Sequence, residues 1–242
     1  MMKEWRLTTT REETTMKHFM RHWYDIGAIL VVPVLVWAWL GNWSTVQFIL
    51  LLNFVVILIH QFEEYRLPGG ETWITNEVFQ PKGGPVDRYP LNQLNATFIN
   101  VLAWLFYLVP VFFPDLVWLG LAPALFGAPG QLVVHGVITN RKLKTIYNPG
   151  LAAVFFGHLP LTIWYLVEVY QRAMITGWDW LFAVIYLVFF MGIIMMRIGY
   201  GVMSSQDSRH PFTPAELNRW NRDQRLQNAG IIPLPLHPDE NP

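Results

Sequence analysis

The chain contains no cysteine. That excludes disulfides, thiolate catalysis, iron–sulfur clusters and cysteine-ligated zinc, so any metal must be held by imidazole and carboxylate groups. Charge is scarce as well: only 14% of the 242 residues are Asp, Glu, Lys or Arg, against about 25% in ordinary soluble domains. Neither sign prevails, since 17 basic residues face 17 acidic ones, and a balanced chain has no net attraction for nucleic acid. The N-terminal stretch lacks the short apolar core and small-residue cleavage site of a secretory signal, so it is expected to remain in the mature chain.

What the sequence has is apolar length. Hydrophobic residues make up 53% of it. Six runs are long enough, at about 1.5 Å of rise per residue, to cross a hydrocarbon layer of about 30 Å. They lie near Tyr24 to Leu40, Ser44 to Tyr65, Ala96 to Phe113, Leu116 to Ile138, Pro149 to Tyr170 and Trp178 to Tyr200. The pattern predicts an all-α fold, a polytopic membrane helical bundle of six transmembrane helices. Residues 1–23 form an N-terminal cytoplasmic segment in this reading, 24–200 the transmembrane domain, and 201–242 a cytoplasmic tail with a short interfacial helix. The turns after the first, third and fifth runs are very short, which pairs those runs as antiparallel hairpins.

Orientation follows from Lys and Arg, which are retained on the cytoplasmic side. Five of them precede the first run, three lie between the second and third, three follow the fourth and five lie from Arg197 onward; Arg172 alone falls on the opposite side. Both termini are therefore expected in the cytoplasm. The connection 66–95 mixes Gly and Pro with Trp73, Ile74, Val78 and Phe79, as an ordered loop dipping into the interface and lidding a site would. Thr213-Pro214-Ala215-Glu216 has the form of a capping box opening a helix to about Gln227. Leu217 and Trp220 are expected on the membrane surface.

The chemistry gathers at the end of the second run. His60, Glu63 and Glu64 stand at i, i+3 and i+4, on one helical face. Ionisable groups cost about 3 kcal/mol each at membrane depth on insertion scales, so they normally face a bundle interior or an aqueous cavity. With alternating helix directions, His135 comes to a similar depth and His158 lies nearer the midplane. Nitrogen and carboxylate donors without sulfur suit zinc first, with iron or manganese as alternatives. The expected metal ligands are His60, Glu64, His135 and His158. Glu63, as general base or orienter, and Glu77 are expected to move protons, and Asn76, Asn100, Asn140 and Asn148 to bind substrate or orient the imidazoles. Two adjacent carboxylates could equally bridge two metals. Pro123, Gly127, Pro129 and Gly130 are expected to kink or interrupt the fourth helix.

The string His60-Gln61-Phe62-Glu63-Glu64, with membrane-embedded His and Asn and Tyr147-Asn148-Pro149-Gly150 before the fifth run, resembles the HXXEE family of bacterial integral membrane proteins over roughly residues 45 to 200. The resemblance implies an enzyme of unestablished reaction and supplies no substrate. The residues themselves predict a metal-dependent membrane hydrolase acting on a lipid-like or amphiphilic substrate from the cytoplasmic leaflet, and the resemblance implies a bacterial inner membrane. Iron-dependent oxidation of a lipid chain is its nearest variant. A transporter coupled to protons or a divalent ion, or a small-ligand-binding membrane protein, would use the same polar cluster.

Overall fold

The structure, a computed structural model, describes residues 2–79, 81 and 83–236, with side chains from residue 14 onward. Lys82 and the last six residues of the tail fall outside that description. Among the described residues there is no strand. Six helices among the described residues are long and apolar enough to cross a membrane: Thr14–Leu40, Thr45–Tyr65, Gln93–Phe112, Val117–Leu143, Leu151–Gln171 and Gly177–Val202. They are called the first to sixth spans below.

Their starts have local causes. Ser44, Asn92 and Thr176 each close a capping box with the residue three positions on, at the heads of the second, third and sixth spans. The first helix runs unbroken as Met2–Leu40. No Gly or Pro precedes Gly27 to stop it, and Met20, Trp23 and Tyr24 are buried. Residues 2–23 and the first apolar run thus share one continuous helix.

The fourth span stays helical through its prolines and glycines, but not as a regular α-helix, which ends at Leu125. The backbone widens at Phe126–Gly130 and again at Leu132–Thr139, where bonds reach five residues back. Such wide turns accommodate a proline that cannot donate.

The second span is the hub. In its most apolar stretch 61% of the residues are buried, against 22% for the first span and 11% for the sixth. A core of aliphatic and aromatic side chains, among them Leu51, Leu58, Tyr107, Val117, Leu121 and Tyr165, fills the bundle. A second cluster closes the end at Tyr65 and joins the spans to the chain's last segment through Trp23, Trp73, Leu91, Leu217 and Leu226.

That last segment is more deeply held than the sequence suggests. The capping box at Thr213 and Glu216 forms, but the helix stops at Leu217, and Trp220 and Asn221 take left-handed backbone angles before Arg222–Ala229 resumes. Leu217 is 1% exposed in the second cluster, and Trp220 stacks on Trp73 with ring centroids 5.9 Å apart. Leu217 thus packs on protein instead of a membrane surface, and Trp220 packs on protein with part of its ring left exposed.

Candidate metal centre

His60 and Glu64 lie one turn apart on the second span, and the wide turn Leu132–Thr139 of the fourth brings His135 against them. Glu64 Oε1 is 3.2 Å from His60 Nε2 and 3.2 Å from His135 Nε2. One donor atom from each residue lies within 4.8 Å of the other two. Both imidazoles are almost fully enclosed, with side chains 1% and 3% exposed.

The far nitrogen of each ring is pinned. His60 Nδ1 lies 3.1 Å from the Gly150 carbonyl oxygen, which only accepts, so Nδ1 carries the hydrogen. His135 Nδ1 lies 2.7 Å from Asn148 Oδ1. The amide of Asn148 cannot be reversed, because its nitrogen donates to His135 O and Asn140 Oδ1, each at 2.7 Å. His135 Nδ1 must therefore be the donor as well. Each neutral ring then turns a bare Nε2 lone pair toward one carboxylate oxygen. Close as it is, His60 Nε2 has no aligned hydrogen-bond partner; the contact is one of proximity and charge.

Three lone-pair donors converging this closely repel one another unless a cation or protons lie between them. Bonds of about 2.0–2.1 Å to a tetrahedral ion place neighbouring donor atoms about 3.3 Å apart. The two 3.2 Å separations fit that edge, and the donor set suits zinc.

A short turn builds the rest of the shell. Gly150 has φ +98°, and a Cβ there would lie 2.7 Å from His135 Cε1, 2.9 Å from His60 Cε1 and 3.1 Å from Glu64 Cγ. Only glycine fits both the backbone and the space. Glu63 fixes this turn. Its carboxylate accepts from Ala152 N at 3.1 Å, Ala153 N at 2.9 Å and the Tyr147 hydroxyl at 2.8 Å. A negative charge against the first amides of the fifth span is favourable in its own right. Burial and this carboxylate push the Tyr147 phenol upward.

The other expected site residues separate. His158 lies outside the three-residue group, although its ring centroid is 5.7 Å from that of His60; its Nδ1 is 2.7 Å from Asn53 Oδ1. Glu77 is bound at both oxygens, by Arg222 Nε at 2.5 Å and Leu234 N at 3.0 Å. Glu63, as described, is spent on helix amides and Tyr147. The four asparagines aim their hydrogen bonds at protein. Asn76 clamps Val86 O, Leu91 O and Leu91 N, Asn100 donates to Ala96 O and Tyr65 Oη, and Asn140 accepts from Asn148 and reaches Gly136 O. Asn148 alone touches an imidazole of the group.

Glu71 was not legible as a site residue. It begins the short helix Glu71–Trp73 after the glycine pair and accepts from the Thr75 hydroxyl at 2.5 Å. Burial first, then the Glu64 carboxylate, push its carboxyl up to about 8, while His135 and Thr75 pull the other way. Seven residues beyond Glu64, it lies outside the helical face that drew attention to His60. Only the fold of the connection, with Gly69 and Gly70 at positive φ, returns it to the centre's electrostatic reach.

The fold and site define an all-helical protein with six spans of membrane-crossing length and a buried His₂–Glu centre that could hold a metal ion. Residues 51–165 match the family described as proteins of unknown function with HXXEE motif. The match bears out the resemblance drawn from His60-Gln61-Phe62-Glu63-Glu64 and takes in His60, Glu64, His135, Asn148, Gly150 and His158. No curated protein and no solved structure matches the chain.

Proposed function

We propose that this protein is a metal-dependent membrane hydrolase that takes a lipid or another amphiphile from the cytoplasmic leaflet, with zinc held by His60, Glu64 and His135. The observation carrying this reading is the convergence of two imidazole Nε2 atoms, with both Nδ1 hydrogens committed elsewhere, on one oxygen of Glu64. A divalent cation held there would polarise an ester or phosphoester oxygen and lower the pKa of a water toward neutrality.

The chain supplies the remainder. Gly150 O and Asn148 Oδ1 hold the rings at fixed tilt and strengthen them as donors. Glu71, its carboxyl pushed up by burial and by the Glu64 charge, is a titratable group within electrostatic reach of the centre. Glu63 acts as a positioning residue through the Gly150 turn. The lopsided distribution of Lys and Arg supports an orientation with both termini cytoplasmic, with the centre on the side of the inner leaflet.

Elemental analysis of detergent-purified protein tests the proposal. About one zinc per chain is expected in the wild type, and less than about a tenth of that in His60→Ala and His135→Ala, since each removes one of three ligands. A wild type that stays metal-free after remetallation, or either variant with full metal, overturns it. Release of fatty acid or phosphate from inner-leaflet lipids by the metal-loaded protein, lost in Glu64→Ala, tests the hydrolytic step.

A further inference from the structure

The side chains of His60, Glu64 and His135 are 1%, 11% and 3% exposed, so an ion or a substrate reaches them only if part of the protein moves. The spans around them are packed into the bundle core, and shifting a whole span disturbs close contacts along its length. A short segment at the end of the bundle costs less to open.

Trp220 is placed to be such a segment's working part. Its ring stacks on Trp73, 5.9 Å between centroids, and meets Tyr147 nearly edge-on at 6.1 Å. Tyr147 in turn donates to Glu63 and opens the turn that ends at Gly150. Gly70, next to Glu71, lies so close that a Cβ on it would be 3.4 Å from Trp220 Cβ. Arg219 reaches Tyr65 O, one residue past Glu64. Two adjacent residues thus bridge three segments that border the centre: the end of the second span, the connection at Gly70 and Glu71, and the turn 147–150.

The piece of chain carrying Trp220 is short and fastened at both ends. Leu217 is buried on one side and Arg222, paired with Glu77, on the other. Only residues 218–221 run between them. Trp220 and Asn221 hold left-handed backbone angles, φ +57° and +55°. Asparagine tolerates that region, but a bulky residue such as tryptophan adopts it only at a cost in free energy. The ring contacts offset that cost. Because Trp220 is only partly buried, a swing into water breaks those contacts and relieves the backbone in one step, with both anchors in place.

We propose that residues 218–221 form a latch, and that Trp220 opens the His60–Glu64–His135 centre by leaving its place against Trp73 and Tyr147. The proposal goes beyond the hydrolase reading, since the latch governs access to these three side chains whichever ion or substrate they take. A latch that touches no donor atom changes how fast a ligand enters and leaves in equal proportion, and so leaves its affinity unchanged.

The test uses the full-length protein in detergent and the bare Nε2 atoms of His60 and His135. Diethyl pyrocarbonate acylates an unprotonated imidazole nitrogen, and mass spectrometry reads each histidine separately. In metal-free protein, Trp220→Ala is expected to raise the labelling rates of His60 and His135 about tenfold, equivalent to about 1.4 kcal/mol of lost closure. The exposed His18 should label equally in both proteins. Trp220→Phe, which keeps a ring against Trp73, should stay near the wild-type rates. In zinc-loaded protein, transfer of the metal to a chelator should quicken by a similar factor in Trp220→Ala at unchanged equilibrium affinity. Thermal melts show that each variant is folded; if Trp220→Ala loses its cooperative melt, Trp220→Leu takes its place with the same direction expected.

Equal labelling of His60 and His135 in the wild type and the alanine variant overturns the proposal and puts the entrance between the spans. Unchanged zinc transfer overturns it as well. So does an affinity that falls in step with the faster transfer, because Trp220 would then be supporting the donors instead of guarding them. A wild type that takes up no zinc, yet gains labelling in Trp220→Ala, defeats the metal centre alone. Zinc bound as expected, with labelling and transfer both unchanged, defeats the latch alone.

Discussion

A methyl group on residue 150 would enter the space between His60, His135 and Glu64, and the backbone there is held at φ +98°. Gly150→Ala is therefore expected to lower stability by about 2 kcal/mol or more and to release the metal, because its carbonyl also orients His60. Melting temperature and metal content in detergent check both effects. Glu71 yields a pH dependence. Its carboxyl rises from 4.5 to about 8 in the folded protein, so between those values the folded state keeps a proton that the unfolded chain has released. Stability conferred by this group is present below the lower value and is lost as pH climbs toward 8, levelling above. In chelator-treated protein, Glu71→Gln should flatten that decline and leave the variant relatively more stable at about pH 8 than at about pH 5. Parallel slopes for wild type and variant in thermal melts across that window would refute it.

At the scale of elements, the connection between the second and third spans and the chain's last segment behave as one cap. Glu77 and Arg222 meet with side chains 2% and 2% exposed, Trp73 Nε1 donates to Arg219 O at 3.1 Å, and Arg219 reaches Tyr65 O at the end of the second span. Glu77→Ala would leave the buried Arg222 guanidinium with only the exposed Asp223 carboxylate and Leu234 O and is expected to cost up to about 3–5 kcal/mol. Arg222→Met added to Glu77→Leu should recover most of that loss. Unfolding of the two variants measures it, and a metal content near wild type in the folded single variant separates this structural role from a chemical one. The cap was partly legible in the sequence. Its ordered loop and the box at Thr213 could be read, since apolar residues among turn formers and a capping pattern are local signals. The partner of Glu77 could not be read, because Arg222 lies 145 residues away. The same limit governed the centre. His60, Glu64, His135 and His158 stood out as ionisable residues in apolar runs. Glu63, equally conspicuous, proved to serve amides of another helix, and Gly127, Gly150 and Asn53 carry no signature until two helices are side by side.

The whole molecule is built outward from the second span. Its neighbours supply every partner of the centre, while the sixth span, 11% buried in its most apolar stretch, lies along the outside and contributes aromatic packing such as Phe106 on Phe190, 4.3 Å between centroids. The six-run reading captured this architecture because length and apolarity alone specify a span. It could not rank the spans, since burial against protein and exposure to lipid ask for the same residues. The order of the chain adds a constraint on how the molecule is made. All three residues of the His₂–Glu group precede residue 136, yet the atoms that pin their rings, Asn148 Oδ1 and Gly150 O, come later, and the turn carrying them is anchored by amides of residues 152 and 153. A chain made only as far as its fourth long helix therefore holds these three residues with their rings unpinned, and the arrangement is complete only once residues 148 to 153 have joined them.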